Sequence, residues 1–394
     1  MPQTAIERRA VEILETLIGY DSVSTKPNRP LIDWIADYLY GYGVDPFVQP
    51  NEGGDKANLY ATIGPDQEGG IVLSGHTDVV PVADQAWQSD PFCLRIQGDR
   101  LYGRGTADMK GFVALALALV PELVERHLHT PVHLAFSYDE EVGCLGIPHL
   151  VDHILRHLPT PKLAIIGEPT MMRPVNAHKG VQTYRTVVTG KDAHSSLSHH
   201  GANAIVAAAE FVAVLNDTAC SLEQKADPRS GFDPPWSTLN IGVIDGGTAL
   251  NIIPKRCEVS WDYRSMPGED PTVTLAPIWE AVETRILPNL RDRYPEASIE
   301  TEQLCNVPGL TPDPDGAAET LARGLTGANE AGTVPFGTEA GVFQQAGISA
   351  VVIGPGDIAQ AHKPDEYLTL KQLSAGAAFL AKIAEVATNG YAAP

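Results

Sequence analysis

The chain is 394 residues long, with 43% hydrophobic residues, 20% charged residues and a formal net charge of -21. That length exceeds what one compact core usually organises, so two domains are expected. The acidic surface repels nucleic acid and anionic membranes, which excludes both as partners, and the ordinary hydrophobic fraction excludes a disordered chain.

Over residues 6–18, charged positions interrupt apolar ones at helical spacing. This predicts an amphipathic helix and leaves no signal-peptide core. Short apolar runs at 71–73, 132–136 and 163–166 read as buried strands, and 112–120 reads as a buried helix. That last run is the longest, nine residues ended by Pro121. A membrane span needs about 20, so a soluble cytoplasmic protein is expected. The five cysteines (Cys93, Cys144, Cys220, Cys257, Cys305) are odd in number and show no CxxC spacing. They argue against a disulfide framework or a cysteine zinc site, and fit a reducing compartment.

The pattern changes over 181–306. Residues 181–189 alternate as a half-buried strand, and 203–215 form a helix. Strands 238–244 and 257–264 flank Gly246 and Gly247, helix 272–286 is ended by Pro288, and 297–303 supplies a last strand. The order β-α-β-β-α-β describes a small α+β module. It reads as an insertion, because a helix around 339–345 and a buried strand at 350–353 resume the first pattern. Pro308, Pro312 and Pro314 mark the return. The expected fold class is α/β: residues 1–180 and 307–394 build a mixed, largely parallel sheet flanked by helices, and 181–306 form the inserted domain.

Each buried run ends in polar residues. Residues 71–73 lead into Ser74-Gly75-His76-Thr77-Asp78, 132–136 into Ser137-Tyr138-Asp139-Glu140-Glu141, and 163–166 into Gly167-Glu168-Pro169-Thr170. Residues 350–353 lead into a Gly-Pro-Gly loop and then His362. Ligands of open α/β sheets bind outside the carboxyl ends of the strands, so two histidines and several carboxylates meet at one edge. Gly103-Arg104-Gly105-Thr106-Ala107-Asp108 adds a carboxylate at a helix start. Imidazole and carboxylate together suit zinc, and also manganese or cobalt. The carboxylates outnumber the needs of one ion, and two metals about 3.5–4 Å apart would use them all. His76 and Asp78, two apart at a strand end, point to one side, so the carboxylate can fix the tautomer of a metal-bound imidazole. Glu140 and Glu141 point apart, so one can hold a metal while the other faces the substrate water. His133, inside a strand, reads as a core histidine.

These motifs, with Asp108-Met109-Lys110-Gly111 and Asp139-Glu140-Glu141-Val142-Gly143, resemble the signatures of the dinuclear zinc amidohydrolases. That family includes acetylornithine deacetylase, succinyl-diaminopimelate desuccinylase, aminoacylase and related carboxypeptidases, and the resemblance spans nearly the whole chain. It implies two Zn2+ ions per subunit, with Co2+ or Mn2+ as substitutes. One is held by His76, Asp108 and Glu168, the other by Asp108, Glu141 and His362. It implies Glu140 as general base, Asp78 as the partner of His76, and a cis peptide at Asp108–Met109. The inserted module resembles the family's lid or dimerisation domain. Gly190-Lys191-Asp192-Ala193-His194-Ser195-Ser196 matches its histidine motif, which implies a homodimer in which His194 reaches the neighbouring subunit's site. Asn251 and Arg264 match residues that hold a substrate carboxylate, a task suited to the planar guanidinium; an ordinary surface ion pair is the plain alternative for Arg264. Ala177-His178-Lys179-Gly180, Gly337-Thr338-Glu339-Ala340 and the segment Gln360-Ala361-His362-Lys363-Pro364-Asp365-Glu366-Tyr367 look most like acetylornithine deacetylase. This implies a small N-acyl amino acid as substrate, with Gly337, Thr338 and Glu339 lining its site and Glu339 meeting the ornithine ammonium. Another N-acyl amino acid, succinyl-diaminopimelate or a dipeptide would use the same chemistry, and a catalytically silent binding protein could share the fold. No GxSxG elbow occurs.

Overall fold

A computed structural model describes residues 4–391. In chain order the main elements are α1 (Ala5–Ile18), β1 (Ala57–Ile63), β2 (Ile71–His76), α2 (Lys110–Glu125), β3 (Val132–Ser137), β4 (Leu163–Ile166), β5 (Val181–Thr189), α3 (Ala204–Glu223), β6 (Thr238–Gly246), β7 (Arg256–Arg264), α4 (Pro271–Ala281), β8 (Ser298–Val307), α5 (Ala340–Gln345), β9 (Ser349–Val352) and α6 (Leu370–Asn389). The chain divides into two compact units. One runs to Ala177 and includes Leu310–Thr333 and the segment from Thr338 onward; the other is His178–Gly309 with Val334–Gly337.

The first unit is built on an eight-stranded sheet in the order Phe47–Pro50, β1, β3, β2, β4, β9, Val175–His178, Gly332–Val334. Its centre, β3-β2-β4-β9, is parallel. Parallel strands are covered on both faces, which explains why β2, β3 and β4 are buried at every position. Helix α1 opens with a Thr4–Glu7 capping box, and its apolar stripe (Ile6, Ala10, Ile13, Leu14, Leu17) joins the same core as α2. Helix α2 is apolar on every side and buried from Lys110 through Val120. It runs through Pro121 to Glu125, beyond the end its apolar run suggested. The carbonyl that a proline cannot serve, Leu117 O, accepts the Tyr38 hydroxyl at 3.1 Å.

The second unit is a four-stranded antiparallel sheet in the order β6-β7-β5-β8. Its core gathers Phe211 and Leu215 of α3, Tyr184, Trp261 and Ile278. The helix expected over 272–286 continues to Arg291: α4 passes into a π-helical turn, Val282–Ile286, and then Leu287–Arg291. The wide turn places Pro288 in the first turn of a new segment, where its missing N–H costs nothing. Among the described residues α3 is the one helix long and apolar enough to cross a membrane by length and composition. Its inner residues Ala207, Ala208, Phe211 and Leu215 are buried in the unit's core.

Candidate metal centre

The carboxyl ends of the parallel strands set the site. His76 is the last residue of β2, Glu168 lies just beyond β4, and Glu140 and Glu141 follow β3 after a left-handed Asp139 (φ 55°). Lys56 fixes that turn by pairing with the Asp139 carboxylate at 2.6 Å. Asp108 precedes α2, and the Asp108–Met109 peptide is cis. His362 sits in a left-handed conformation (φ 61°) beyond β9, with its ring about half exposed.

The donors form two groups that share Asp108: His76, Asp108 and Glu168, and Asp108, Glu141 and His362, with one atom of each residue within 4.8 Å of the others in its group. His76 Nε2 is 3.0 Å from Asp108 Oδ1 and 3.8 Å from Glu168 Oε1. His362 Nε2 is 3.3 Å from Asp108 Oδ2 and 3.1 Å from Glu141 Oε2. The two Asp108 oxygens thus face opposite groups. Burial pushes Glu168 and Glu140 well above the ordinary carboxyl range and Glu141 to about 7. Burial also opposes ionisation of Asp108, but His362 and His76 outweigh it and hold that carboxyl low. Asp108 and Glu141 lift His362 to about 10. So many acids in so little water need positive charge, and two imidazoles with three carboxylates form a donor set that fits a pair of divalent cations.

Asp78 differs from expectation. Its backbone carbonyl, not its carboxylate, accepts from His76 Nδ1 at 2.9 Å; the carboxylate oxygen stands 3.7 Å away. An Nδ1–H donated to a carbonyl leaves the Nε2 lone pair facing Asp108 and Glu168, the tautomer a ligand requires. The carboxylate accepts the backbone N–H groups of Glu140 (3.1 Å) and Glu141 (3.3 Å) and the Ser24 hydroxyl (2.7 Å). It therefore shapes the turn that presents both glutamates.

Glu339 and Thr338 also differ. Glu339 is buried, and its carboxylate accepts the hydroxyls of Ser74, at 3.1 Å, and Ser137. A carboxylate tied beneath two strand ends offers no open face to a substrate ammonium. Thr338 is buried too, and its hydroxyl accepts Ala340 N–H at 3.1 Å to start α5. Gly337 lies in the short segment assigned to the second unit.

In the second unit, His194 and Asn251 come together. His194 is bridged to Ile252, Ser195 N–H donates to Asn251 O at 3.0 Å, and the exposed His194 ring bonds the Ser196 hydroxyl at 2.7 Å. Arg264 ends β7 and pairs with Asp262 at 3.2 Å. Strand β7 starts beside the 251–254 segment and separates the two places by roughly 26 Å of extended chain.

Three residues near the centre escaped the sequence reading. Arg104 and Glu366 form a fully buried ion pair at 2.7 Å. Cys144, also buried, directs its thiol to Glu140 Oε1 at 3.4 Å. Both charged residues stood in quoted motifs, but a pair far apart in sequence leaves no local pattern.

Residues 72–386 match the model of peptidase family M20/M25/M40. The chain is 36% identical over 369 residues to an acetylornithine deacetylase from Pasteurella multocida (strain Pm70), covering 93% of this chain and 94% of that protein. It is 35% identical to one from Myxococcus xanthus, covering 94% and 95%. Among solved structures, it resembles an M20-family metallo-carboxypeptidase from Sulfolobus solfataricus, with a TM-score of 0.75 and 19% identity over 97% of this chain and 99% of that one. A dinuclear metal-binding M20 peptidase from Bacillus subtilis gives a TM-score of 0.65 and 16% identity over 99% and 100%. On the strength of the matched sequence and the shared fold, the chain belongs to peptidase family M20/M25/M40 and is a metal-dependent hydrolase.

Proposed function

We propose that the protein hydrolyses the amide of an N-acyl amino acid, foremost N2-acetyl-L-ornithine, giving L-ornithine and acetate for arginine biosynthesis in the cytoplasm. The observation that carries this reading is Asp108, shared by two donor groups, with Glu140 beside them. The substrate is suggested by the curated relatives, which are acetylornithine deacetylases along nearly the whole chain. His76, Asp108 and Glu168 hold one Zn2+, and Asp108, Glu141 and His362 hold the other. Bound there, the ions polarise the acyl carbonyl and acidify water. Glu140 takes a proton from the attacking water, then delivers it to the amide nitrogen as the C–N bond breaks and the amine leaves. Arg264 of one subunit and Asn251 of the other, which lies beside His194, hold the α-carboxylate and so orient the scissile amide.

The protein acts as a homodimer, and His194 serves the acyl carbonyl in its partner's site. An exposed apolar surface supports self-association: the edge strand β6 presents Val243 and Ile244, and α3 presents Ile205 and Val206.

The test is ornithine release from N-acetyl-L-ornithine by the purified protein, with zinc or cobalt added and a chelator as control. Release abolished by the chelator is expected. No release from folded protein carrying two metals would overturn the substrate and move the question to other N-acyl amino acids, succinyl-diaminopimelate and dipeptides. Inactivity on all of these would favour a silent binding protein.

A further inference from the structure

The two metal positions are held in different ways. His76 ends β2, inside a hydrogen-bonded sheet, and Glu168 follows two residues after β4 of the same sheet. Asp108 and His362 stand on irregular segments, and His362 is half exposed. Something other than a strand ladder must hold them.

One buried ion pair touches both segments. The Glu366 carboxylate accepts three backbone donors leading up to Asp108: Gly105 N–H at 3.0 Å, Ala107 N–H at 2.8 Å and Asp108 N–H at 3.1 Å. Arg104 neutralises it through Nη1 at 2.7 Å. The same guanidinium reaches Lys363 O at 3.3 Å and, through Nη2, Gln85 Oε1 at 2.6 Å. Gln85 Nε2 in turn donates to His362 O at 3.1 Å. The Trp87 ring lies 5.1 Å from the guanidinium carbon, and its indole N–H donates to Gln85 Oε1 at 3.1 Å.

We propose that Gln85 is a positioning residue for the second metal position alone, fixing His362 through its backbone, while Arg104 and Glu366 position the Asp108 segment that both metal positions share. This rests on the reading that the two donor groups hold two ions. The bonds of Gln85 run to His362 O, Trp87 and Arg104 and to none of His76, Asp108 and Glu168, so the first position should not depend on it.

Calorimetric titration of the metal-free protein with Zn2+, backed by metal content after desalting, tests the proposal without turnover. The wild type should take two ions, and His362→Ala one. Gln85→Ala should keep the first ion at wild-type affinity and bind the second about tenfold more weakly; Glu366→Gln, acting on the shared Asp108, should weaken both. Glu366→Gln removes one member of a buried pair and can compromise folding, so Gln85→Ala, at a half-buried position, decides the matter. Unchanged binding of both ions by Gln85→Ala, or equal weakening of both, would overturn the proposal. A His362→Ala protein that still takes two ions would instead overturn the assignment of the metal centre, and the clamp with it.

Discussion

At Glu140, burial and then the neighbouring Glu141 and Asp108 carboxylates favour the protonated form, while His76 works against them. A group so poised can accept a proton from water and part with it to an amine. Glu140→Gln should therefore lower kcat by about a thousandfold while metal content stays at the wild-type level; near-normal turnover would remove Glu140 from that role. A second residue carries a stability signature. His133 is buried, bonded to Thr62 Oγ1 at 3.0 Å and stacked on Tyr60, and burial lowers it to about 4. Its folded-state value lies below the unfolded one, so the unfolded chain takes up a proton first as pH falls. Stability is then lost between about pH 6.5 and pH 4, by up to about 3 kcal/mol. Urea unfolding of His133→Gln should show a shallower loss over that window than the wild type, and parallel curves would refute the assignment. At this scale the sequence displayed the ligands because each ends a strand or starts a helix. It hid the backbone role of Asp78, the Glu339 hydroxyl contacts and the Arg104–Glu366 pair, because each depends on which distant segment comes to lie alongside.

Among the elements, α2 presses closely on Gly167, the residue that follows β4. A Cβ built there would stand 2.0 Å from the Phe112 ring, and Phe112 is itself buried in the core. Gly167→Ala should destabilise the protein by about 3 kcal/mol, read as a lower denaturation midpoint, and Phe112→Leu in the same chain should recover part of it. Additive losses would show that the two do not meet. The buried runs were readable as elements because both faces of a parallel strand are apolar. Short edge strands such as Phe47–Pro50 and Arg95–Gln97, half or wholly exposed, carry too little pattern to be seen. Prolines misled the reading at Pro121 and Pro288 because the remedies, a tyrosine hydroxyl and a π-helical turn, lie outside any local rule.

For the molecule as a whole, the two cores are separate: one gathers α1, α2 and the large sheet, the other α3, α4 and the antiparallel sheet. The change in pattern near residue 181 and the order β-α-β-β-α-β were visible in sequence because half-exposed antiparallel strands alternate where buried parallel ones do not. The chain enters and leaves the second unit at one place: a side chain at Gly309 would stand 3.0 Å from Gly180 N and from His178 O. Replacing residues 181–307 by a short glycine-serine linker should leave a chain that unfolds cooperatively and still binds two metals, but shows no turnover. A chain that fails to fold would mean the second core stabilises the first.

That touching pair of glycines also bears on the order of folding. The β4–β9 pairing, Leu163 with Ser349, lies across the whole inserted unit. Closing so long a loop is entropically slow, but an insert that has already folded leaves about 55 of the roughly 186 intervening residues to close, recovering about 1 kcal/mol of closure entropy. Damage confined to the insert would then first appear as a delay in completing a sheet to which it contributes no central strand.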